Sequence, residues 1–272
     1  MARRNTSVRM FFTFHMPLIY AYHTRMGRSV RGIGKWFGEF LIPTLLLFLL
    51  ADDWSLQHVM DYLLLTLLVY SLYEVGYLWN DTYTIRKEKN PTLRLNHKEL
   101  AYVLSHKSTI YEIRLLLAVF ITLYVLMEHD WSTGSLRAIL AAWSILLVYA
   151  LYNTVRGHLS FVLHLLLLML RYTSAWLLVS KGSLLSMLML TLFIFPLPIM
   201  MEIVAKGKFG ITYRFTSWYL KDYSKRYLFR LKYYSLLCLV YALFSLNYFV
   251  LTGYFIMYEI MLYLSLGKHK RP

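Results

Sequence analysis

Long apolar runs separated by charged loops constrain this 272-residue chain more than any other feature. A helix needs about 20 mainly apolar residues to cross a bilayer, and several runs reach or approach that length. The pattern predicts an all-α, polytopic transmembrane bundle of about eight spans. The predicted spans are Trp36–Leu50, His58–Trp79, Ile110–Met127, Leu136–Tyr152, Leu159–Val179, Leu184–Val204, Tyr227–Leu246 and Phe249–Leu266.

The basic residues of the chain indicate its orientation in the membrane. Lys and Arg outnumber Asp and Glu by 29 to 14, which gives a net charge of +15. These bases lie between apolar runs rather than on a soluble module, which argues against nucleic-acid binding. Basic loops alternate with acidic or uncharged ones, so the positive-inside rule predicts that both termini and every basic loop are cytoplasmic. The single cysteine, Cys238, excludes a disulfide within the chain.

The chain divides into a basic N-terminal segment, residues 1–35, and a transmembrane bundle, residues 36–272. Phe11–Tyr22 is a candidate interfacial helix, because basic and histidine residues interrupt or flank its apolar positions. The bundle contains no repeat or low-complexity linker that would divide it further. We therefore expect one helical domain.

The end of the second predicted span carries the most distinctive polar residues. Asn80-Asp81 ends an apolar run, and charged residues including Glu88 follow it. If a helix continues through this stretch, Asp81, Thr84 and Glu88 lie on one face. Magnesium commonly bridges carboxylates to substrate phosphates, so the pattern suits a site for a metal ion and a phosphorylated ligand. A solvated, charged helix end is the open alternative.

Ionisable residues within the spans point to the same membrane face. Glu202 ends the sixth predicted span, Lys206 follows one turn later, and Glu202 can meet Asp81 across a bundle. Arg171 lies in mid-span and cannot lose its charge, so it needs a carboxylate, backbone carbonyls or a phosphate. Glu74 is one heptad before Asp81 and can line the same cavity.

The remaining ionisable residues of the spans have simpler interpretations. Glu39, Arg114 and Glu259 lie near enough to the interfaces to extend towards water, and we expect them to do so. His164 lies on an apolar span without His or Cys neighbours, which favours a hydrogen-bonded packing role over metal binding.

At this point the chain resembles the UbiA superfamily of intramembrane prenyltransferases. Asn80-Asp81 matches the start of that family's Asn-Asp-x-x-Asp-x-x-x-Asp motif, Glu88 can stand for its last acid, and Thr84 replaces the middle one. Asn90–Arg94 resembles the following segment, while the usual Pro-Leu-x-x-Gly is missing. Other similar segments are Tyr152–Arg156, Arg171, Lys206–Phe209 and Tyr223–Leu228, and the last two are closest to the branch that transfers phosphoribose to decaprenyl phosphate.

The resemblance implies a magnesium-dependent transferase that acts on a diphosphate donor at the cytoplasmic face of a bacterial inner membrane. Its implied partners are a polyprenyl lipid and the diphosphate donor, and no protein partner is identified. The implied metal ligands are Asp81, Glu88 and Glu202. The implied substrate-binding residues are Asn80, Arg94, Arg156, Arg171 and Lys206. No residue is identified as a general base.

Two other functions stay open. Thr84 and the reduction of the second acidic motif to Glu202 are what a non-catalytic family member, kept as a scaffold or lipid-binding subunit of a cell-envelope assembly, would show. A small-solute transporter is the third interpretation, but its sites usually lie at mid-bilayer, whereas these polar residues gather at one face.

Overall fold

The computed structural model describes residues 2–27, 29–51, 55–87, 92–155, 158–181, 183–205 and 226–268. Every regular element in these ranges is helical. The α-helices are α1 Ala2–His15, α2 Ile19–Thr24, α3 Val30–Trp36, α4 Ile42–Leu49, α5 Leu56–Thr82, α6 His97–Ser105, α7 Lys107–Glu128, α8 Thr133–Thr154, α9 His158–Thr173, α10 Leu184–Ile194, α11 Pro196–Ala205, α12 Arg226–Ala242 and α13 Leu246–Lys268. A π-helical turn at Phe37–Leu41 joins α3 to α4, and short 3₁₀ turns lie at Thr84–Lys87 and Trp176–Leu178.

Five helical stretches in the described residues are long and apolar enough to cross a membrane. They are Val30–Leu49, α5, α7, α8 and Leu246–Ser265. The pair Leu188–Ile194 and α11 qualifies as a sixth only when taken together, with a bend of 46° at Phe195. The bend precedes Pro196, which has no backbone N–H and is therefore suited to start a new helix rather than continue one.

The all-helical prediction is confirmed for the described residues, and five of their helical stretches are candidate membrane spans. Each of the eight predicted spans overlaps a helix, but α9 has only 16 residues and α12 only 17. Both are shorter than the stretch usually needed to cross a bilayer, about 20 residues. The count of eight spans and the orientation of the termini stay predictions.

Helix α5 is the central helix of the bundle. In its most apolar stretch 67% of the residues are buried, against 33% in each of the other four long spans. It packs closely against α7 and α8. The closest approach is at Gly76, where a Cβ atom would overlap the ring of Tyr149 on α8. Polar residues on the buried faces of α5 are therefore held among neighbouring helices.

Helix α5 ends at Thr82, before the predicted polar face is complete. The Thr82 hydroxyl donates to the Leu78 carbonyl, 2.6 Å away, and the chain then forms the 3₁₀ turn that starts at Thr84. The α-helix that would place Asp81, Thr84 and Glu88 on one face therefore ends before Thr84. Glu88 itself lies outside the described residues.

The N-terminal segment packs against the bundle. Helices α1 and α2 reverse direction at Met16–Leu18, where Leu18 has a φ of 70°, in the left-handed region that is unusual for a branched apolar residue. Phe14 and Tyr20, on either side of the reversal, are fully buried against Leu78 of α5 and other apolar side chains. The segment thus brings its own side chains to the end of α5.

Candidate functional site

Asp81 lies one residue before the end of α5, and its side chain has no exposed area. One oxygen accepts hydrogen bonds from the Tyr20 hydroxyl at 2.6 Å and from Arg25 Nη2 at 2.9 Å. The other accepts from the same Arg25 nitrogen at 3.0 Å, from Arg94 Nη1 at 3.1 Å and, weakly, from Asn80 Nδ2 at 3.4 Å. Two of the residues predicted to bind substrate, Arg94 and Asn80, therefore do contact Asp81.

Two of the Asp81 partners, Tyr20 and Arg25, come from the N-terminal segment and are not among the predicted site residues. Burial and the neighbouring Asp81 raise the pKa of Tyr20 well above its usual value, so the phenol keeps its proton and remains a donor. The Arg25 guanidinium also lies over the Tyr77 ring, 4.2 Å from its centroid. Arg25 is thus fixed between a carboxylate and an aromatic face.

A buried ion pair between α5 and α7 anchors the N-terminal segment. Arg114 Nη1 lies 2.6 Å from a Glu74 oxygen, and neither side chain has exposed area. The other Glu74 oxygen accepts from the Ala21 backbone N–H at 2.7 Å. Arg114 also donates to the carbonyls of Phe14, at 2.8 and 3.1 Å, and of Met16, at 3.2 Å. The expectation that Arg114 extends towards an interface is wrong, because its donors are used inside the protein.

Local sequence explains how Arg94 reaches Asp81. Asn96 and Glu99 form a capping box at the start of α6, in which each side chain accepts from the other residue's backbone N–H at 3.0 Å. The cap at Asn96, two residues after Arg94, fixes where α6 begins, and α6 packs against α5. Together these contacts keep Arg94 near the α5 terminus.

A cavity of about 360 Å³, hereafter the central cavity, lies beside this cluster. It extends along α5 from Tyr77 to Tyr70, roughly 10 Å at the rise of an α-helix. The charged residues of its lining are Arg25, Lys35, Arg171, Arg230, Glu39 and Glu202. Its aromatic residues are Trp36, Phe40, Tyr70, Tyr77 and Tyr172. A polar group with an attached apolar portion suits such a mixed surface.

Arg171 makes one side-chain hydrogen bond within the described residues, although it lines the central cavity. It donates through Nη2 to the Tyr70 hydroxyl, and its guanidinium lies over the Phe40 ring at 4.6 Å and the Tyr70 ring at 5.2 Å. No carboxylate of the described residues pairs with it, and its buried Nε atom has no hydrogen-bond partner among them. Of the partners predicted for Arg171, a carboxylate, backbone carbonyls or a phosphate, the described residues supply neither a carboxylate nor a carbonyl.

Glu202 lines the central cavity, where Arg230 binds it. Arg230 Nη1 also lies 3.1 Å from a Glu39 oxygen and 3.2 Å from a Glu259 oxygen. Glu39 is in the π-helical turn, and Lys35 lies 3.5 Å from its second oxygen. The expectation that Glu39 and Glu259 extend towards interfacial water is wrong, because both carboxylates turn inward to one arginine.

The predicted site residues are therefore brought together only in part. Glu202 and Arg171 line the central cavity, and Asp81 is linked to it through Arg25. Arg94 and Asn80 contact Asp81 directly. The other three predicted site residues, Glu88, Arg156 and Lys206, lie outside the described residues.

The donor set around Asp81 and Glu202 does not fit a magnesium ion. A carboxylate has about four lone-pair positions, and five hydrogen bonds already reach Asp81. Glu202 is bound by the Arg230 guanidinium, whose positive charge opposes a nearby cation. Within the described ranges, no three His, Cys, Asp or Glu side chains are grouped to hold a metal ion.

Comparisons with known proteins add no assignment. No family model, curated protein or solved structure matches the chain.

Proposed function

We propose that the chain is a membrane transferase similar to the UbiA superfamily, which moves a phosphoribosyl or prenyl group from a diphosphate donor to a lipid-soluble acceptor. The observation that supports this is the central cavity, where two arginines beside aromatic rings keep guanidinium nitrogens without a partner in the described residues. Buried cations of this kind are expected to bind a ligand anion. A cavity of this volume accommodates a diphosphate headgroup while a polyprenyl chain extends into lipid.

The proposed reaction breaks the bond between the reacting carbon and a diphosphate oxygen. An acceptor atom bonds to that carbon, and diphosphate leaves with the electron pair. Arginines in a water-poor cavity stabilise the developing negative charge. In the phosphoribosyl version, phosphoribosyl pyrophosphate is the donor and an ionised polyprenyl phosphate is the acceptor, which has no proton to lose. In the prenyl version, a prenyl diphosphate is the donor and a small nucleophile is the acceptor, whose proton passes to water or diphosphate.

The proposal places the central cavity at the cytoplasmic face of a bundle of eight spans with both termini in the cytosol. The alternation of basic and acidic loops supports this orientation. We propose the inner membrane of a bacterium as the location, on the resemblance alone. Magnesium dependence also rests on the resemblance, since the described residues do not supply its site.

A non-catalytic lipid-binding subunit is the second candidate. The ion pairs that hold Asp81 and Glu202 favour it, because carboxylates fixed by arginines can serve structure alone. In that case the central cavity would hold a phosphorylated lipid without changing it.

Membranes that contain the full chain, supplied with magnesium, endogenous lipid and either labelled phosphoribosyl pyrophosphate or labelled prenyl diphosphate, test the proposal. We expect labelled lipid from one donor and its loss in Asp81→Asn, which removes the charge that holds Arg25 and Arg94. Arg94→Ala should weaken donor binding, and higher donor concentration should partly restore product. Glu202→Gln should also lose product without a fall in protein abundance.

The matched control is Glu112→Gln, because Glu112 is an exposed carboxylate on α7. It should keep full activity. Wild-type membranes that label no lipid from either donor, or full activity in Asp81→Asn, would leave the non-catalytic candidate in place.

A further inference from the structure

The central cavity contains two guanidinium groups with unused donors. Arg25 Nη2 is bound to both Asp81 oxygens, whereas its buried Nη1 has no partner among the described residues. Arg171 uses Nη2 on the Tyr70 hydroxyl, and its Nε is likewise buried without a described partner. A guanidinium carries five N–H donors, and burying one unsatisfied is costly in free energy.

The aromatic surroundings of these arginines do not replace a hydrogen-bond acceptor. Rings over Arg25 and Arg171 interact with the guanidinium face, at 4.2 Å for Tyr77 and 4.6 Å for Phe40. The N–H donors lie in the guanidinium plane, where these rings do not accept from them. A planar fork of N–H groups matches the oxygens of a phosphoryl group and binds them bidentately.

The acids that would bring a divalent cation to such a phosphoryl group are already used. Asp81 accepts from Tyr20, Arg25 and Arg94, and the Glu202 carboxylate binds Arg230. Arginine side chains therefore supply the positive charge next to the Asp81 and Glu202 carboxylates.

From this arrangement we infer that the central cavity binds a phosphate or diphosphate group through Arg25 and Arg171, with guanidinium groups in place of a divalent cation. The inference deepens the proposed function and rests on it for the identity of the ligand. Arg25 adds a binding residue from the N-terminal segment, and Asp81 becomes the residue that positions Arg25 rather than a metal ligand. Free pyrophosphate and the phosphate of a lipid share the chemistry that these donors recognise.

Calorimetric titration of the purified full chain in phosphatidylcholine nanodiscs with inorganic pyrophosphate tests this inference. One series contains a chelator of divalent cations, a second contains magnesium, and a third contains decaprenyl phosphate in the nanodisc. We expect the affinity for pyrophosphate with chelator and with magnesium to agree within about twofold. The magnesium series is corrected for the pyrophosphate that binds magnesium in solution. Competition by decaprenyl phosphate would identify a lipid as a second source of the bound phosphate.

Variants assign the binding to the two arginines. Arg25→Met and Arg171→Met should each weaken pyrophosphate binding by at least about tenfold, the loss expected for charged hydrogen bonds. Arg31→Met is the matched control, since Arg31 is exposed on α3 and outside the cavity lining. Arg171→Lys keeps the charge without the planar fork and should bind with intermediate affinity. Size-exclusion profiles identify variants that fail to fold. If a Met variant fails to fold, the affinity of Arg171→Lys is compared with that of the wild type instead.

Binding that disappears with the chelator would overturn the inference, as would wild-type affinity in both Met variants or no binding of either phosphate source. These outcomes are separate from the outcome for the proposed function. Pyrophosphate bound by the arginines without any transfer reaction leaves the inference standing and removes the transferase. A transfer reaction whose donor binds only in the presence of magnesium would support the transferase and overturn the inference.

Discussion

Glu74 and Arg114 are 2.6 Å apart at their nearest side-chain atoms, and neither side chain has exposed area. The pair joins two spans and also holds three backbone groups of the N-terminal segment, at Phe14, Met16 and Ala21. Tyr20 is fixed next to Ala21, and Arg25 follows one turn later. Glu74 and Arg114 therefore position residues that contact Asp81 without contacting Asp81 themselves.

Removing one member of this pair should destabilise the protein more than removing both. We expect Arg114→Met to cost about 3–5 kcal/mol, because it leaves the Glu74 carboxylate buried without a counter-charge. The double variant Glu74→Gln with Arg114→Met should recover part of that loss, since no uncompensated charge remains. Thermal unfolding in detergent, analysed as a double-mutant cycle, measures both values. A double-variant loss equal to the sum of the two single-variant losses would show that the two residues act independently.

Substitution of Gly76 should disrupt the contact between α5 and α8. A Cβ atom at Gly76 would overlap the Tyr149 ring, which is itself packed edge-on against Tyr73 at 4.9 Å. We expect Gly76→Ala to cost about 1–3 kcal/mol by overpacking. Gly253→Ala is the control, because nothing lies within 4 Å of a Cβ built there. The melting temperature should therefore be lower for Gly76→Ala than for Gly253→Ala, although the two substitutions are chemically identical. Equal melting temperatures would contradict the packing described at Gly76.

Arg230 should be needed for folding of the second half of the bundle. It pairs with Glu39, Glu202 and Glu259, and Arg230→Met would remove this shared partner from all three carboxylates. We expect a loss of about 3–5 kcal/mol or more, because uncompensated charge stays buried. Arg230→Lys should rescue little, as a single ammonium cannot reproduce the planar fork. Yields of monodisperse protein after detergent extraction measure the effect, and partial recovery by adding Glu259→Gln would confirm charge as the cause.

The proposed orientation predicts opposite accessibility at the two ends of α5. Leu56 and Leu93 are 77% and 74% exposed, and the 27 residues of α5 between them span about 40 Å. In a Cys238→Ser background, Leu56→Cys and Trp131→Cys should react with a membrane-impermeant thiol reagent on intact cells. Leu93→Cys should react only after the cells are opened. Labelling of Leu93→Cys from outside would invert the topology and remove the cytoplasmic site.

The parts of the fold that follow from local pattern could be predicted from the sequence. Apolar runs set where the long helices lie. The polar end of α5 singled out Asp81, but as a metal ligand, whereas in the structure it accepts from Tyr20, Arg25 and Arg94. Arg171, which always carries its charge, had to lie in the interior near something that tolerates a cation. Each of these conclusions depends on residues close together in the chain.

The remaining contacts could not be predicted, because they depend on how separate helices pack. Tyr20 and Asp81 are 61 positions apart, and Arg230 and Glu39 are 191 apart. No spacing rule connects such residues in a single sequence. Opposite charges on successive spans, such as Glu74 with Arg114, were an available signal, since each needs a partner in lipid. Because Arg114 lies close to the end of its predicted span, contact with interfacial water was expected instead, and that expectation was wrong.

The anchoring of the N-terminal segment has a consequence for biosynthesis. Ala21 binds a residue that is 53 positions later in the chain, and Met16 binds one that is 98 positions later. A ribosome therefore releases Tyr20 and Arg25 well before α5 and α7 exist to hold them. Tyr20 and Arg25 reach their final positions only after α7 has entered the membrane, so the site matures late although these two residues are made before the helices that hold them.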